Sequence, residues 1–150
     1  MGFQFNRALI LIITILTLTR CGGGGTGNLL NNPTPVASLS VVGGPLYDFG
    51  SHLLNIDTER EFLVTNSGAE LATQLTGNFY FSIAFSYKGG AFPGNGGTCG
   101  ETLASNENCT LVVIFNPKSL GKTETTLQLS YYNGLSTVIT SYPILRGTGI

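Results

Sequence analysis

Charged residues are scarce in this sequence, and their scarcity excludes nucleic-acid binding. Only 10% of the 150 residues are charged, against roughly 25% in an ordinary globular domain. Without residues 1–20 the chain has five basic and eight acidic side chains and a net charge of −3. These five cations are scattered along the chain, whereas a phosphate backbone is bound by several on one face. We expect no nucleic-acid partner.

The chain has one histidine, His52, which limits its catalytic and metal chemistry. A Ser-His-Asp hydrolase would hold it between a nucleophile and a carboxylate such as Asp48 or Asp57, yet no Gly-x-Ser-x-Gly motif is present. The acidic residues show no calcium-loop spacing. Residues 121–123 (GKT) do not end a phosphate-binding loop, because Asn116 stands where that motif needs glycine. We interpret His52 as a solvated surface residue in a turn and expect no metal, cofactor or small-molecule substrate.

No apolar run is long enough to span a bilayer. The longest, residues 8–18, has 11 residues and is interrupted by Thr14 and Thr17, whereas a transmembrane helix needs about 20. The run follows Arg7 and has the length of the hydrophobic segment of a signal peptide. Residues 1–20 are therefore predicted to be a signal peptide rather than a permanent anchor.

The signal peptide ends in a sequence that resembles a bacterial lipobox, LTRC at residues 18–21. Leu18 and Cys21 match the pattern, in which the cysteine thiol receives diacylglycerol; Arg20 departs from it, because a small residue usually precedes the cysteine. A signal peptide cut elsewhere, with Cys21 as an incidental thiol, is the alternative. Residues 21–36 are rich in Gly, Asn and Pro and predict a flexible tether. We expect palmitate on Cys21 and a lipid-anchored protein of the bacterial cell envelope, in the outer membrane on its periplasmic or exposed side.

Residues 37–150 have the composition and spacing of one all-β domain. Helix formers are sparse, whereas Thr, Val, Ile, Phe and Tyr recur in short runs separated by Gly, Asn and Pro. Alternation is clearest where Leu111, Val113 and Phe115 point one way, and where Leu127 and Leu129 alternate with polar neighbours. Seven strands are predicted, at residues 38–42, 61–65, 72–75, 79–87, 110–115, 124–132 and 137–145.

An aromatic row within the fourth predicted strand has two interpretations. Phe81, Ile83 and Phe85 alternate with smaller residues. Such a row forms a ligand platform if it is exposed. Because large apolar side chains contribute most when they are buried, we predict that all three pack in the core.

A set of short motifs follows in order along residues 38–150. The motifs are DFG at 48–50, FLVTNSG at 62–68, FSI at 81–83, CG at 99–100 with Leu103, CTLVVIFNP at 109–117 with Gly121, and RGTG at 146–149. Together they resemble the abnormal-spindle/Hydin (ASH) Ig-like domains, whose bacterial members are often called choice-of-anchor D domains. This resemblance implies a seven-stranded Ig-like β-sandwich related to the major sperm protein fold, used for attachment or scaffolding and without enzymatic activity. Independently of it, Phe49 is expected to anchor an edge strand, and Gly50 and Gly68 to supply positive φ at turns.

Cys99 and Cys109 remain once Cys21 is assigned to lipid. An even pair of cysteines in an exported domain predicts a disulfide. The alternative is a metal pair, but two thiols without a partner histidine or a second cysteine pair do not complete a tetrahedral site.

Residues 86–98, a glycine-rich stretch, are predicted to form the binding loop, with Tyr87, Lys88 and Phe92 as contact residues. The alternative is a floppy connection. The whole sequence thus predicts a non-catalytic Ig-like binding or structural module that mediates protein–protein attachment to a partner whose identity is unknown. Two alternatives stay open: an envelope hydrolase whose carboxylates meet only in the fold, and a passive architectural spacer.

Overall fold

The structure, a computed structural model, describes residues 33–140 and 143–150. In these residues the chain forms nine β-strands and no helix, so none of the described segments is a helix that could cross a membrane. The strands are β1 (Leu39–Val41), β2 (Leu46–His52), β3 (Thr58–Asn66), β4 (Thr73–Phe79), β5 (Phe85–Tyr87), β6 (Asn108–Phe115), β7 (Gly121–Tyr132), β8 (Thr137–Thr140) and β9 (Ile144–Gly149).

The strands form two sheets that pack face to face as an Ig-like β-sandwich. The first sheet has the order β1-β3-β6-β5 and is antiparallel throughout. The second has the order β2-β9-β7-β4, in which β2 runs parallel to β9 and β8 also pairs with β7. The chain passes from one sheet to the other between β1 and β2, at the sequence GGP of residues 43–45. The predicted all-β sandwich is confirmed.

The core lies between the sheets and is built from the predicted alternating rows. Leu111, Val113 and Phe115 of β6 are fully buried, as are Leu127 and Leu129 of β7. Their polar neighbours on β7 lie half-buried or exposed on its outer face, because an antiparallel sheet can leave one face in water. The alternation in these two strands therefore predicted the core face correctly.

The predicted strand at residues 79–87 is wrong. The chain leaves β4 at Phe79 and enters β5 at Phe85, so it crosses from the edge of one sheet to the edge of the other. Phe85 is buried as predicted, but Phe81 and Ile83 are 87% and 83% exposed. The period-2 pattern continues through this crossing, where no sheet is present to bury it.

The count of seven strands also differs from the structure. The predicted strand at residues 137–145 is divided between β8 and β9, with Pro143, which has no N–H for a ladder, directly before β9. Strand β2 was not among the predicted strands, because its polar and glycine residues obscure the alternation of Tyr47 and Phe49. It does lie at a sheet edge, as predicted from Phe49.

Positive φ was predicted for two turn glycines, and only one of them has it. Gly50 has φ +85°, as predicted. Gly68 is not among the residues with positive φ; it is needed because a Cβ there would overlap the backbone of residues 36–38. Among the described residues, Val36 is the first with a hydrogen bond to the domain, accepting at its carbonyl from the Ala69 N–H at 3.0 Å.

Candidate binding surfaces

The predicted binding loop, residues 86–98, follows the outer edge of β6. The Lys88 N–H donates to the Val112 carbonyl at 3.0 Å, and the Val112 N–H donates to the Pro93 carbonyl at 2.8 Å. Further along, the Thr98 N–H donates to the Thr110 carbonyl at 3.0 Å. The interpretation of this loop as a floppy connection is therefore wrong: the loop extends the sheet and covers Val112 on its outer face.

Two of the three predicted contact residues point inward. Tyr87 is only 5% exposed, and its ring packs against Phe79 at 4.8 Å and Phe92 at 5.5 Å between ring centroids. Gly77 of β4 makes room for both rings, because a Cβ there would overlap the Tyr87 hydroxyl and the Phe92 ring. Tyr87 is therefore a core residue and not the surface contact that was predicted, whereas Phe92 is half-buried; together the two rings close the gap between the β4 and β5 edges of the two sheets.

The charged end of Lys88 lies on the surface. Its Nζ lies 2.8 Å from Glu59 Oε2, and both side chains are substantially exposed. Exposed pairs of this kind contribute at most about 1 kcal/mol to stability. No contiguous binding surface is formed by Tyr87, Lys88 and Phe92.

The predicted disulfide between Cys99 and Cys109 is present. Their Cα atoms are 4.8 Å apart and both residues are buried. The bond joins the end of the glycine-rich loop to the start of β6 and closes a loop of ten residues. In the chain-entropy model such a loop contributes roughly 3 kcal/mol.

His52 is half-buried at the end of β2, rather than solvated as predicted. Its Nε2 lies 2.7 Å from the Phe49 carbonyl oxygen, and its Nδ1 lies 3.0 Å from the Thr58 hydroxyl. These contacts fit a ring that donates from Nε2 and accepts at Nδ1. The Nε2 contact stays within β2, and the Nδ1 contact fastens β2 to the start of β3.

Two carboxylates, Asp48 and Glu124, lie on either side of Arg146 in the second sheet, as its register partners on β2 and β7. Asp48 accepts from the Gly50 N–H at 2.8 Å and from the Arg146 guanidinium at 2.6 Å, and these contacts hold the pKa of Asp48 below its usual value. Asp57 is bonded to Asn116, and Lys122 lies 2.7 Å from Glu124. In the part of the chain that the structure describes, no three His, Cys, Asp or Glu residues lie close enough together to hold a metal ion.

An apolar groove of about 610 Å³ runs between β1 and β8, beside the point where the chain changes sheets. No charged side chain is among the described residues that line it, and Ile139 on β8 is 62% exposed. The lining residues are Leu39, Ser40, Val41, Gly44, Pro45, Ile139 and Thr140.

Strand β8 directs backbone N–H and C=O groups that do not bond to β7 toward this groove. The Asn133 N–H donates to the Ser136 carbonyl at 3.0 Å, and the register pairs Tyr131 with Val138. Because bonded and non-bonded positions alternate in an antiparallel pair, the N–H and C=O of Thr137 and Ile139 point away from β7. Within residues 33–140 and 143–150, no strand pairs with this edge of β8.

A second apolar surface lies at the β4–β5 crossing, residues 80–84. Tyr80, Phe81 and Ile83 are 58%, 87% and 83% exposed, and the Tyr80 and Phe81 rings stack edge to face at 4.4 Å. Neither this loop nor the β8 edge was foreseen from the sequence. The sequence offered no signal that separates this aromatic row from a strand of the same length, such as β3, which also has nine residues.

Comparisons with known proteins support the fold. No family model matches the sequence, and neither does any curated protein. Among solved structures, the Vibrio cholerae VesB protease overlaps 73% of this chain with a TM-score of 0.54 at 16% identity. The chain spans 31% of the length of the VesB chain. At this identity the likeness concerns the fold alone.

Two smaller structures are also similar. The ASH/PapD-like domain 7 of human CEP192 has a TM-score of 0.48 at 13% identity, with 75% of this chain and 84% of that one covered. WR4, a member of the major sperm protein family from C. elegans, has a TM-score of 0.43 at 8% identity, with 75% and 97% covered.

Proposed function

We propose that this chain is a lipid-anchored protein of the cell envelope, an ASH-type Ig-like module that attaches another protein without catalysis. Acyl chains on Cys21 hold it at the outer membrane, and residues 21–36 are the tether. The lipobox-like sequence at residues 18–21 supports the anchor. The disulfide between Cys99 and Cys109 fits an oxidising compartment outside the cytoplasm.

The observation that carries the attachment role is the unpaired edge of β8 beside an uncharged groove. Proteins with such an edge bind an extended segment of a partner as an added strand, with backbone hydrogen bonds for affinity and pockets for alternate side chains. Thr137 and Ile139 offer the backbone groups, and the groove between β1 and β8 accepts an apolar side chain. The partner is therefore a protein with an exposed, uncharged extended segment.

A non-catalytic role is supported by how the polar side chains are used. Both nitrogens of His52 are occupied by Phe49 and Thr58, and its ring fastens two strands. Glu59 pairs with Lys88 on the first sheet, whereas Asp48 and Glu124 flank Arg146 on the second, so each of these carboxylates has a cation beside it.

The anchor is tested by metabolic labelling with a palmitate analogue. Wild-type protein should incorporate the label at Cys21 as its first residue, and Cys21→Ser should not. Label retained in Cys21→Ser, or a mature protein that begins elsewhere, contradicts the anchor without affecting the attachment role.

Attachment is tested by Ile139→Pro. The Ile139 N–H points away from β7, so proline removes a donor from the free edge and leaves the β7–β8 ladder intact. We expect partner capture from envelope extract to fall at least tenfold, about 1.4 kcal/mol, with little change in melting temperature.

The matched control is Val138→Pro, which removes an N–H that the register directs toward β7. This variant should lose stability as well as binding. Undiminished capture by Ile139→Pro refutes strand addition at β8, and absence of any captured partner for the wild type favours the spacer.

A further inference from the structure

The β4–β5 crossing loop, residues 80–84, presents apolar side chains that make few contacts with their own domain. Phe81 and Ile83 are the two most exposed of the large hydrophobic residues described, at 87% and 83%, and Tyr80 is 58% exposed beside them. A single exposed apolar residue is ordinary, but three on one short loop form a convex apolar tip. We call residues 80–83 the apolar tip.

Hydrogen bonds hold the apolar tip in its outward conformation. The Ser82 hydroxyl oxygen accepts from the N–H groups of Ala84 at 3.2 Å and Phe85 at 2.9 Å. The Tyr80 N–H donates to the Thr126 carbonyl at 3.0 Å, and the Thr125 hydroxyl donates to the Tyr80 carbonyl at 2.7 Å. The loop is thus fixed at both ends.

The backbone at the centre of the apolar tip is unusual. Phe81 has φ +49°, a conformation that bulky residues rarely adopt. Strained positions of this kind persist where the surrounding structure determines them, and they concentrate at functional surfaces. Here the strain directs an aromatic ring into solvent rather than toward the core.

The apolar tip and the residues that flank it in the sequence carry no charge. Residues 71–87 contain no Asp, Glu, Lys or Arg. The neighbouring strand β7 contributes Thr125 and Thr126 at the points of contact. The side chains of the tip itself can therefore enter an apolar medium without desolvating an ion, which would be costly.

We infer that the apolar tip inserts into the interfacial region of the lipid bilayer to which the chain is anchored. A protein partner would need a cavity shaped to these side chains, whereas a bilayer accepts a convex apolar projection without a matching pocket. Aromatic side chains such as Tyr80 are also favoured at the membrane–water interface. This inference rests on the proposed lipid anchor.

The length of chain between the anchor and the domain permits this arrangement. Twelve residue steps separate Cys21 from Pro33, and an extended chain covers at most about 3.3–3.6 Å per residue, or about 40 Å in total. Strand β7, the longest, has 12 residues and therefore a similar length, since a strand rises about 3.3 Å per residue. The tether is thus long enough for any side of the domain to reach the bilayer.

The chain contains no tryptophan, which makes a single-tryptophan test direct. Phe81→Trp places the only indole on the apolar tip. The matched control is Leu135→Trp, at an exposed position in the β7–β8 turn. Acylated, full-length proteins are reconstituted into vesicles of phosphatidylethanolamine and phosphatidylglycerol, with and without brominated acyl chains. We expect a blue shift and strong bromine quenching for Phe81→Trp, and neither for Leu135→Trp.

A second variant tests insertion without a new fluorophore at the tip. Phe81→Asn combined with Ile83→Ser removes the apolar groups, and asparagine tolerates the positive φ. Both changes are introduced into the Leu135→Trp protein. The domain should then contact the vesicle surface less, and a protease should cleave the tether faster.

The outcomes separate this inference from the anchor on which it rests. If mass spectrometry shows that the Phe81→Trp protein is acylated, but its indole emission is unshifted and unquenched, insertion is overturned and the anchor is intact. A shift that requires added envelope protein, or that grows with protein concentration without lipid, also overturns insertion, in favour of a protein partner or a second copy. Protein that is never acylated refutes the proposed function first.

Discussion

Tyr87 is buried with its hydroxyl unpaired. Among the described residues no hydrogen-bond partner reaches its oxygen, although the ring is packed between Phe79 and Phe92. An unsatisfied buried hydroxyl costs about 1–3 kcal/mol. The ring stabilises the sandwich, and the hydroxyl opposes it.

Replacing Tyr87 by phenylalanine should therefore increase the free energy of unfolding by about 1 kcal/mol, because it removes the unpaired group and keeps the ring. Urea unfolding followed by circular dichroism measures this. Tyr87→Ala is the control and should lose about 3–5 kcal/mol, as expected for a large buried aromatic residue. Destabilisation by Tyr87→Phe would mean that the hydroxyl is bonded in solution.

The same comparison has a pH dependence. Burial raises the pKa of Tyr87 above its ordinary value of 10.0, so the folded protein holds this proton more tightly than the unfolded chain does. Below that value the ionisation of Tyr87 should not affect the stability of the wild type, and above it the free energy of unfolding should fall as the pH rises. The advantage of Tyr87→Phe should accordingly grow above pH 10.0.

Asn66 shows why one sequence motif has its composition. Its side chain is completely buried, accepts from the N–H groups of Ser38 and Gly68 and donates to the carbonyls of Glu70 and Leu103. All four bonds are made, so an amide can lie in the core without an unpaired group. The FLVTNSG motif identified the position, but the long-range partners were not predictable from neighbouring residues.

At the scale of elements, the β5–β6 loop depends on one close approach to a strand. Gly94 has φ +93°, and a Cβ there would overlap the Val112 carbonyl oxygen. Two neighbouring hydrogen bonds depend on that approach: the Lys88 N–H donates to the Val112 carbonyl, and the Val112 N–H donates to the Pro93 carbonyl. Glycine is therefore needed at this position for space as well as for φ.

Gly94→Ala should accordingly be more destabilising than Gly90→Ala. Gly90 also has positive φ, at +90°, but nothing lies within 4 Å of a Cβ there. Both variants incur backbone strain, whereas only Gly94→Ala displaces the loop from β6. The difference in free energy of unfolding should be at least about 1 kcal/mol, the net value of one hydrogen bond. Equal losses would show that the loop is not held by this approach.

Elements were predictable where one local pattern decided them. Strands β6 and β7 each have one face toward the core, so alternation was sufficient to identify them. Residues 79–87 show the same pattern, although the chain crosses between the two sheets there. The place of such a crossing is set by the order of the strands in the sheets, and adjacent residues in the sequence do not reveal it. For that reason Phe81 and Ile83 were assigned to the core, whereas they are exposed; Tyr87 was assigned to the surface because it begins the glycine-rich stretch, whereas it is buried.

At the scale of the whole molecule, the all-β class and the Cys99–Cys109 bond followed from composition, spacing and cysteine count, and the two-sheet sandwich from the resemblance to ASH domains. The candidate binding surfaces did not. The groove joins β1 to β8, which are about a hundred residues apart in the sequence, and no periodicity reports that two distant edges become neighbours. The lipid anchor at Cys21 lies outside the described residues and stays a prediction.

The position of β9 has a consequence for how the domain is made. Residues 144–149 lie between β2 and β7, so β2 has no neighbour in its sheet until they are in place. Pairings between such distant segments form slowly. During synthesis, a nascent chain that has not yet released these residues cannot complete the second sheet. The second sheet is therefore completed only after these residues have been synthesised, a property that suits the proposed export of this chain as an unfolded polypeptide.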